Sequence, residues 1–500
     1  GRGEQVAIIH HESSTALTYR DLSEQSARFA NVLVAMGVQP GDRVAYRIPN
    51  RPEALIVIIA TWKVGAVVVP LPMQSRAGEL AFLIEDTQPR VLVAWLDERS
   101  REDIRSALWT ASAGATRVIG IDDWSDMLIR ASSVFAAPTL SSDGLAVLWH
   151  TGGTTGQPKA CYHTHRRFLL AGYSIGQATQ VQVGQRWAAA APLGHALGFI
   201  VHTNYTLLHG ATIVLIEGYN RPEIVLTALA RHRVHTFTAI TATWGRLHEA
   251  LLAEPEHDLR CLQRGFAMWQ SASALEIQHA WRDRGLILQN NFGSTAFAAW
   301  VLVPPAGVSV PAASLGRPAP GYEVNVIEPE VRAVRPMFAG SIGRMAVRGP
   351  SGLTYWNRPE IQERDIVDGW TLVDDLIQFD TEGNASYLGR TDFLISTAGN
   401  KVAPVEVEAV LGLHPAVREV AVLGAPDPIR QEVVAAFIAV HAGIRSDEAL
   451  RVELQEFVRQ RLSPYKAPRR IEFIEALPRD HVGKVQSRVL KNRLAAKDTV

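Results

Sequence analysis

This sequence of 500 residues has only two cysteines, a net charge of zero and no long apolar run. The two cysteines, Cys161 and Cys261, are too few for a disulfide framework or a four-thiolate zinc site, so we expect a reducing, cytoplasmic setting. Fifty basic and fifty acidic residues cancel, whereas proteins that coat nucleic acid or bind anionic membranes carry excess positive charge. No run reaches the ~20 apolar residues that span a bilayer. The most apolar stretch, residues 54–60, is soon followed by Lys63, which predicts a buried helix.

The composition that remains is that of a folded protein. Hydrophobic residues make up 47% of the chain and charged residues 20%, which excludes a mostly disordered protein. At roughly 150 residues per domain, the length predicts about three domains, or one large domain and one small one. No signal peptide is recognised, and because the chain begins with Gly1 rather than Met we expect a trimmed end.

Helical and strand-like patterns alternate along the first half of the chain. Apolar spacings of three and four predict a helix from residue 18 to about residue 36. Short apolar runs predict strands at residues 43–46, 66–71, 91–94 and 117–120. Strands that alternate with helices are typical of parallel sheets covered on both faces, so the predicted class is α/β.

Residues 144–159 carry the strongest chemical signal. An apolar strand, residues 144–148, is followed by a stretch with three glycines, three threonines and one lysine. Glycines let backbone N–H groups turn towards one anion, and the hydroxyls and Lys159 add donors and positive charge. The stretch is not a GxxxxGK[ST] loop, because no glycine precedes Lys159. It predicts a nucleotide or phosphate site, and a surface turn is the alternative.

The same stretch resembles the (S/T)GTTGxPK signature of the acyl- and aryl-adenylating superfamily, which includes acyl-CoA synthetases. Further ordered segments resemble other elements of that superfamily: residues 290–295 (YGxTE), 316–321 (G(K/R)PxPG), 369–376 (GWxxTGDL), 389–392 (GRxD), 464–468 (PYKxP) and 483–484 (GK). Residues 347–352 and 395–402 are similar to 2-aminobenzoate (anthranilate) and benzoate CoA ligases.

The resemblance implies a fold and a reaction. The expected fold is α/β, with a large N-terminal domain of parallel-rich sheets flanked by helices (residues 1–389) and a small mobile α+β domain (residues 390–500). Family members activate a small carboxylic acid with ATP and Mg²⁺ to an acyl-adenylate, which a thiol, usually CoA, converts to a thioester. The expected acid is aromatic, 2-aminobenzoate or benzoate. A homodimer is possible.

The resemblance also implies which residues bind the nucleotide. The phosphates are expected to contact Thr151, Gly152, Gly153, Thr154, Thr155, Gly156 and Lys159, with Asn291, Gly293 and Ser294 close by. Phe292 is expected at the adenine, Thr295 at the α-phosphate, Asp375 at the ribose, and Arg390 at the ribose or the phosphate region. A turn or helix cap is the alternative for Asp375. No set of residues is recognised as metal ligands.

For a further set of residues, the resemblance implies roles in catalysis, domain movement and acid binding. Lys484 is expected to bridge the carboxylate and the α-phosphate, Asp392 to be the hinge, and Gly399 to line the thiol tunnel. His195 is expected to gate the acid site, with a buried core histidine as the alternative. The candidate pocket walls are Phe199, Ala239, Ser271, Ala272, Ser273, Gly293, Phe297 and Ala298.

Several positions depart from the family pattern. Ala296 stands where the YGxTE element has a glutamate that helps to position Mg²⁺, Ala160 replaces a glycine, and Val373-Asp374 replaces the Thr-Gly before Asp375. Two alternatives therefore stay open: an enzyme that loads a carrier-protein phosphopantetheine, and an inactive homologue that binds ligands. His163-Thr164-His165 is interpreted as a surface turn rather than a metal pair, because a third ligand is missing.

Overall fold

A computed structural model describes residues 2–111, 115–151, 158–268, 274–306, 308, 310–311, 314–327, 334, 340, 342–398, 400–479 and 485–497. The first 130 residues contain β1 (Val6–His10), β2 (Ala16–Thr18), α1 (Tyr19–Ala35), β3 (Arg43–Arg47), α2 (Pro52–Val64), β4 (Val67–Pro70), α3 (Ala77–Thr87), β5 (Val91–Ala94), α4 (Glu98–Thr110), β6 (Arg117–Gly120) and α5 (Trp124–Arg130).

The next section of the chain completes the parallel part of the fold. It contains β7 (Leu145–Thr151), β8 (Lys159–Thr164), α6 (His165–Thr179), β9 (Arg186–Ala189), α7 (Ala196–Ile200), β10 (Thr212–Leu215), α8 (Pro222–Arg231), β11 (Thr236–Ile240), α9 (Thr241–Ala253), β12 (Arg264–Met268), α10 (Ala274–Asp283) and β13 (Leu288–Asn290). A π-helical segment, Val201–Tyr205, continues α7.

The remaining elements are mostly antiparallel. They are β14 (Phe292–Ser294), β15 (Ala299–Val303), β16 (Ser314–Pro318), β17 (Glu323–Ile327), β18 (Ile342–Arg348), α11 (Pro359–Asp365), β19 (Ile366–Val367), β20 (Trp370–Phe379), β21 (Ala385–Arg390), β22 (Ile395–Thr397), β23 (Asn400–Val402), α12 (Pro404–Gly412), β24 (Val417–Asp427), β25 (Gln431–Val440), α13 (Glu448–Arg459), β26 (Arg470–Phe473) and α14 (Ser487–Lys497).

These strands form four sheets in the described part of the chain. The N-terminal sheet has the order β6-β5-β3-β4-β7-β8 and the central sheet β13-β12-β11-β9-β10-β1-β2; in each, one edge strand is antiparallel and the others are parallel. The antiparallel sheet runs β14-β15-β16-β21-β20-β18-β17, with β19 on β20, and the C-terminal sheet runs β23-β22-β25-β24, with β26 on β25. The predicted α/β class, with a smaller α+β part at the C-terminus, is confirmed.

Local chemistry explains the first two long helices. Thr18 caps α1, and its side chain and that of Asp21 each accept a hydrogen bond from the other residue's backbone N–H, which is a capping box. The apolar run predicted as a buried helix is α2, which starts at Pro52 and ends at Gly65 with φ +81°. That left-handed conformation suits glycine and stops the helix. Helix α1 packs on α2.

The antiparallel sheet between residues 292 and 390 was not predicted from the sequence. Its strands pair with partners far along the chain, such as Ser314 opposite Ser386. Local periodicity carries no information about such distant pairs. Among the described residues, no helix combines the length and apolar content that a membrane span requires.

Candidate active site

The glycine-rich stretch connects two antiparallel neighbours, β7 and β8, in which Thr151 lies opposite Lys159. Strand β7 runs parallel to β4, so the stretch begins at the carboxyl edge of the N-terminal sheet, where α/β proteins bind ligands. The glycines and threonines predicted to cradle phosphate lie outside the described residues, as does the side chain of Thr151: Gly152, Gly153, Thr154, Thr155 and Gly156.

Three polar side chains meet at His150, which comes shortly before this stretch. His150 Nε2 lies 3.1 Å from Asp86 Oδ2, and Arg358 Nη2 lies 2.9 Å from Asp86 Oδ1. The side chains of His150 and Asp86 are buried. Burial alone would raise the pKa of Asp86, but His150 and Arg358 hold it below its usual value. We call this cluster the Asp86 brace, because it ties α3, β7 and the segment before α11 together.

The backbone of Thr295 is fixed by two buried aromatic rings. Trp149 Nε1 donates to the Thr295 carbonyl oxygen at 3.3 Å, and His163 Nε2 lies 2.9 Å from the same oxygen. A carbonyl can only accept, so His163 carries its proton on Nε2. Burial lowers the pKa of His163 to about 4, which keeps the ring neutral near pH 7. Thr295, predicted to contact the α-phosphate, is therefore held rigidly beside β7 and β8.

Two polar side chains close to Thr295 in the sequence have no hydrogen-bond partner among the described residues. Asn291 is buried, and within the described residues neither its Oδ1 nor its Nδ2 forms a hydrogen bond; the same holds for Ser294 Oγ. Buried polar groups are normally paired, since an unpaired one costs about 1–3 kcal/mol. A nucleotide is rich in acceptors and donors that fit these groups. The arrangement suits the ATP site predicted at residues 291–295.

Gly293 explains how β14 can lie so close to β15. A Cβ atom on Gly293 would lie 2.6 Å from the carbonyl oxygen of Ala299 and from Trp300. Only glycine permits this approach. Phe292 is half-buried beside the main core, and Ala296 is buried and offers a methyl group where the family pattern has a carboxylate.

Asp375 and Arg390 lie opposite each other on β20 and β21. Arg390 Nη1 is 3.9 Å from Asp375 Oδ2, and its Nη2 is 3.6 Å from Asp374 Oδ2; Arg344 pairs with Asp374 at 2.8 Å. Burial, together with the charge of Asp375, raises the pKa of Tyr387 well above its usual value. Asp375 thus lies within a strand and is not a cap, and the structure brings it together with Arg390.

The segment that leads to His195 is anchored to the core. Asn50 Oδ1 accepts from the backbone N–H of Leu193 at 2.8 Å, and Tyr46 donates to the carbonyl of Leu193 at 2.6 Å. His195 then caps α7, because its Nδ1 accepts from the N–H of Leu197 at 3.3 Å. The side chain is exposed, so the alternative of a buried core histidine is wrong.

The candidate pocket walls divide into two groups. Phe199 is buried and packs edge-on against Trp149, with ring centroids 5.3 Å apart; Phe297 and Ala298 belong to the same hydrophobic cluster. Ala239 belongs to a different cluster, under α8 and α9. The side chains of Ala239 and Phe199 therefore pack in different apolar clusters. Three further candidates lie outside the described residues: Ser271, Ala272 and Ser273.

The residues predicted for the C-terminal domain are only partly described. Lys484 and Gly399 lie outside the described residues, and so does the side chain of Asp392. The backbone of Asp392 lies in a 3₁₀ turn, Thr391–Phe393, that directly follows β21. Lys466, from the segment similar to PYKxP, pairs with Glu406 on α12. This ion pair holds the segment against α12.

The sequence analysis missed the supporting residues and misread one of them. His163 lies on β8 and is fully buried, so the interpretation of residues 163–165 as a surface turn is wrong. Trp149, His150 and Asp86 were not singled out either. The signal that could have revealed the first two is their position directly before the glycine-rich stretch, whereas no local signal marks Asp86, which comes from a separate helix.

Comparisons with known proteins show the family and the fold. The AMP-binding enzyme family matches residues 1–356, and the AMP-binding enzyme C-terminal domain matches residues 406–484. A feruloyl-CoA synthase of Amycolatopsis sp is 32% identical over 98% of this chain and 96% of its own length. A benzoate–CoA ligase of Thauera aromatica is 29% identical over 97% and 92%. The crystal structure of ATP-bound MatB from Rhodopseudomonas palustris has a TM-score of 0.89 at 27% identity, over 98% and 96%.

Proposed function

Since the chain belongs to the AMP-binding enzyme family, we propose that it joins an aromatic carboxylic acid, first of all benzoate or 2-aminobenzoate, to CoA. The general activity is that of its relatives: AMP-forming ligation of an acid to CoA through an adenylate, with ATP, Mg²⁺ and CoA. The names of the relatives support an aromatic acid, since they include a feruloyl-CoA synthase and a benzoate–CoA ligase.

The contact that carries the proposal is made by Trp149. Its ring packs on Phe199, a candidate wall of the acid pocket, while its Nε1 donates to the carbonyl of Thr295, the candidate contact of the α-phosphate. One rigid indole thus joins the acid side of the site to the nucleotide side. Adenylation requires this proximity, because the carboxylate must attack the α-phosphorus.

The nucleotide roles follow from the chemistry of each group. Asp375 accepts the ribose hydroxyls, for which a fixed carboxylate is suited, and Arg390 holds that carboxylate from the neighbouring strand. Phe292 lies against the adenine. Lys159, with the glycine-rich stretch, binds the β- and γ-phosphates, where backbone N–H groups and a compact cation offset negative charge.

The described residues fit Mg²⁺ without the missing glutamate. Asn291 Oδ1 and Ser294 Oγ are buried oxygens without a hydrogen bond in the described part of the chain, and oxygen ligands are those that Mg²⁺ prefers. Ala296 contributes none. When bound with ATP, Mg²⁺ neutralises phosphate charge and so eases the approach of a carboxylate.

Two half-reactions use two faces of the C-terminal domain. In the first, the acid oxygen forms a bond to the α-phosphorus of ATP, pyrophosphate leaves, and Lys484 offsets the charge of both anions. The domain, which we place at residues 390–500, then turns about Asp392. In the second, the thiolate of CoA attacks the acyl carbon, AMP leaves with the bonding electron pair, and Gly399 gives the thiol arm room.

The test is mass detection of thioesters after the protein is mixed with Mg-ATP and CoA. The panel contains benzoates, hydroxycinnamates and straight-chain fatty acids. We expect a thioester with one class of aromatic acid and a large loss in Asp375→Ala. Glu382→Ala, an exposed acidic residue beside the same strands, is the matched control and is expected to retain activity.

Each other outcome contradicts part of the proposal. Thioesters formed only with fatty acids would exclude an aromatic substrate. Pyrophosphate without any thioester would indicate a carrier protein in place of CoA. If no product of either half-reaction appeared, the chain would be a binding homologue, and Ala296→Glu would show whether the missing carboxylate is responsible.

A further inference from the structure

We propose that His10, Glu12 and Glu217 form a binding site for one divalent transition-metal ion, separate from the adenylation site. His10 Nε2 lies 3.3 Å from Glu12 Oε2 and 3.0 Å from Glu217 Oε1. Each of the three residues offers one ligand atom. In the described part of the chain, these three atoms lie within 4.8 Å of one another, as a metal site requires. His10 is 1% exposed, and the two carboxylates reach it from the solvent side.

The register of the central sheet brings these residues together. Strands β1 and β10 are parallel, and His10 lies opposite Leu215. Glu12 and Glu217 each follow two residues later, so they leave the same edge of the sheet side by side. The N–H of Gly218 donates to Glu12 Oε1 at 2.9 Å, which leaves Oε2 turned towards His10.

The hydrogen bonds of the His10 ring orient it in a way that suits a metal ligand. Its Nδ1 lies 2.7 Å from Ser13 Oγ, which is also 2.7 Å from Thr15 Oγ1. When Nδ1–H donates to Ser13, the lone pair of Nε2 faces the two carboxylates. Despite these short distances, Nε2 is buried and forms no hydrogen bond of acceptable geometry with any described group. Histidine ligands of metals typically donate their second N–H in this way.

The charge around the site also favours a cation. Arg51 contacts Glu217 at 3.0 Å and Glu53 at 3.5 Å, and Glu12 is a third carboxylate in the cluster. Three carboxylates thus face one guanidinium in this cluster.

Two further cations lie on the far side of the site. His11 Nδ1 lies 3.1 Å from His232 Nε2, and Arg186 donates to the carbonyl of His232 at 2.7 Å. Arg231 donates to Ser14 Oγ at 3.1 Å. Arg186 and Arg231 are thus bound to groups other than the two carboxylates.

The ligand set selects the class of metal. One imidazole with two carboxylates suits Zn²⁺ and similar ions, whereas Mg²⁺ prefers an all-oxygen octahedron. The ion would tie the end of strand β1 to the turn after β10. The turn after β10 is itself held near the segment that leads to His195, because Asn50 Nδ2 donates to the carbonyls of both Ile216 and Ala191. Sequence patterns missed the site because Glu217 is two hundred residues away from His10.

The experiment measures Zn²⁺ binding by the untagged, chelator-treated chain in equilibrium dialysis with metal analysis. We expect one tight equivalent that millimolar Mg²⁺ does not displace, and a rise in Tm when Zn²⁺ is added. Glu12→Gln and Glu217→Gln should each weaken this equivalent at least tenfold. Both side chains are partly exposed, so these variants test the ligands without opening the core, whereas His10→Gln tests the buried ligand.

Matched controls are Glu256→Gln and His441→Gln, an exposed glutamate and an exposed histidine elsewhere in the chain. They should bind Zn²⁺ as the wild type does. Wild-type binding that is unchanged in Glu12→Gln and Glu217→Gln would overturn the proposal, as would a wild-type chain that binds no Zn²⁺. Adenylation activity is measured separately. Its loss or retention tests the proposed function and does not decide whether the metal site exists.

Discussion

The carbonyl group of Thr295 accepts hydrogen bonds from two side chains that belong to no recognised motif. The sequence predicted a role for Thr295 itself, because it lies in a segment with a recognisable pattern. It did not predict Trp149 and His163, since their role depends on the pairing of β7 with β8 and on the approach of a segment 132 residues away from His163. Contacts of this kind are set by tertiary packing and leave no local signature.

We expect the side chain of His163 to make the free energy of unfolding depend on pH. Burial lowers its folded-state pKa to about 4, whereas an exposed histidine titrates near pH ~6.5. Between these values only the unfolded chain binds the proton. The free energy of unfolding should therefore fall as the pH falls from ~6.5 towards 4, by up to ~1.4 kcal/mol per pH unit from this residue.

Urea unfolding of the wild type and His163→Gln at pH 7, 6 and 5 measures this contribution. The variant removes the titrating group, so its stability should fall less steeply with acid. His441→Gln replaces an exposed histidine and should keep the wild-type slope. Equal slopes for the wild type and His163→Gln would show that this ring does not carry the expected linkage.

Secondary-structure elements divide into those that local patterns predict and those they do not. Helix α1, with its Thr18–Asp21 capping box, and the apolar helix α2 were predicted because their signals lie within the elements themselves. The antiparallel sheet was not predicted, since its strands gain stability from partners such as β16 and β21 that lie far apart in the sequence. Local patterns did not predict the Asp86 brace either, because its three residues come from three separate parts of the chain.

We expect the Asp86 brace to position the glycine-rich stretch for ATP. Asp86→Asn removes the charge that pairs with His150 and Arg358. Charged hydrogen bonds are worth about 1.5–3 kcal/mol, so the KM for ATP should rise about tenfold or more. The rate of thioester formation from supplied acyl-adenylate should not change, since that step needs no triphosphate.

Steady-state kinetics with varied ATP and with supplied acyl-adenylate separate the two effects. Asp143→Asn is the matched control: it breaks an exposed ion pair with Arg166, before the start of β7, and should leave both rates as they are. If Asp86→Asn slowed both half-reactions equally, the brace would support the whole fold and have no particular role in ATP binding.

At the scale of the whole molecule, the chain has two parts with separate cores. The C-terminal sheet and its helices enclose their own hydrophobic cluster, which includes Val407, Leu411 and Ile438. With the boundary that we propose at residue 390, the link between the parts is short, because β21 ends at Arg390 and the 3₁₀ turn with Asp392 follows at once. A separate core on a short link is what a rotation about one residue requires.

The last prediction concerns that rotation and Lys484. If the lysine contacts the reacting groups only during adenylation, Lys484→Ala should lower the rate of acid-dependent pyrophosphate release by about two orders of magnitude or more, in line with the loss of a charge that stabilises a transition state. The same variant should convert supplied acyl-adenylate and CoA to thioester at nearly the wild-type rate. Arg488→Ala, an exposed cation four residues away, should preserve both rates. Equal losses in the two half-reactions would mean that Lys484 stays in place throughout, and the domain would not need to turn.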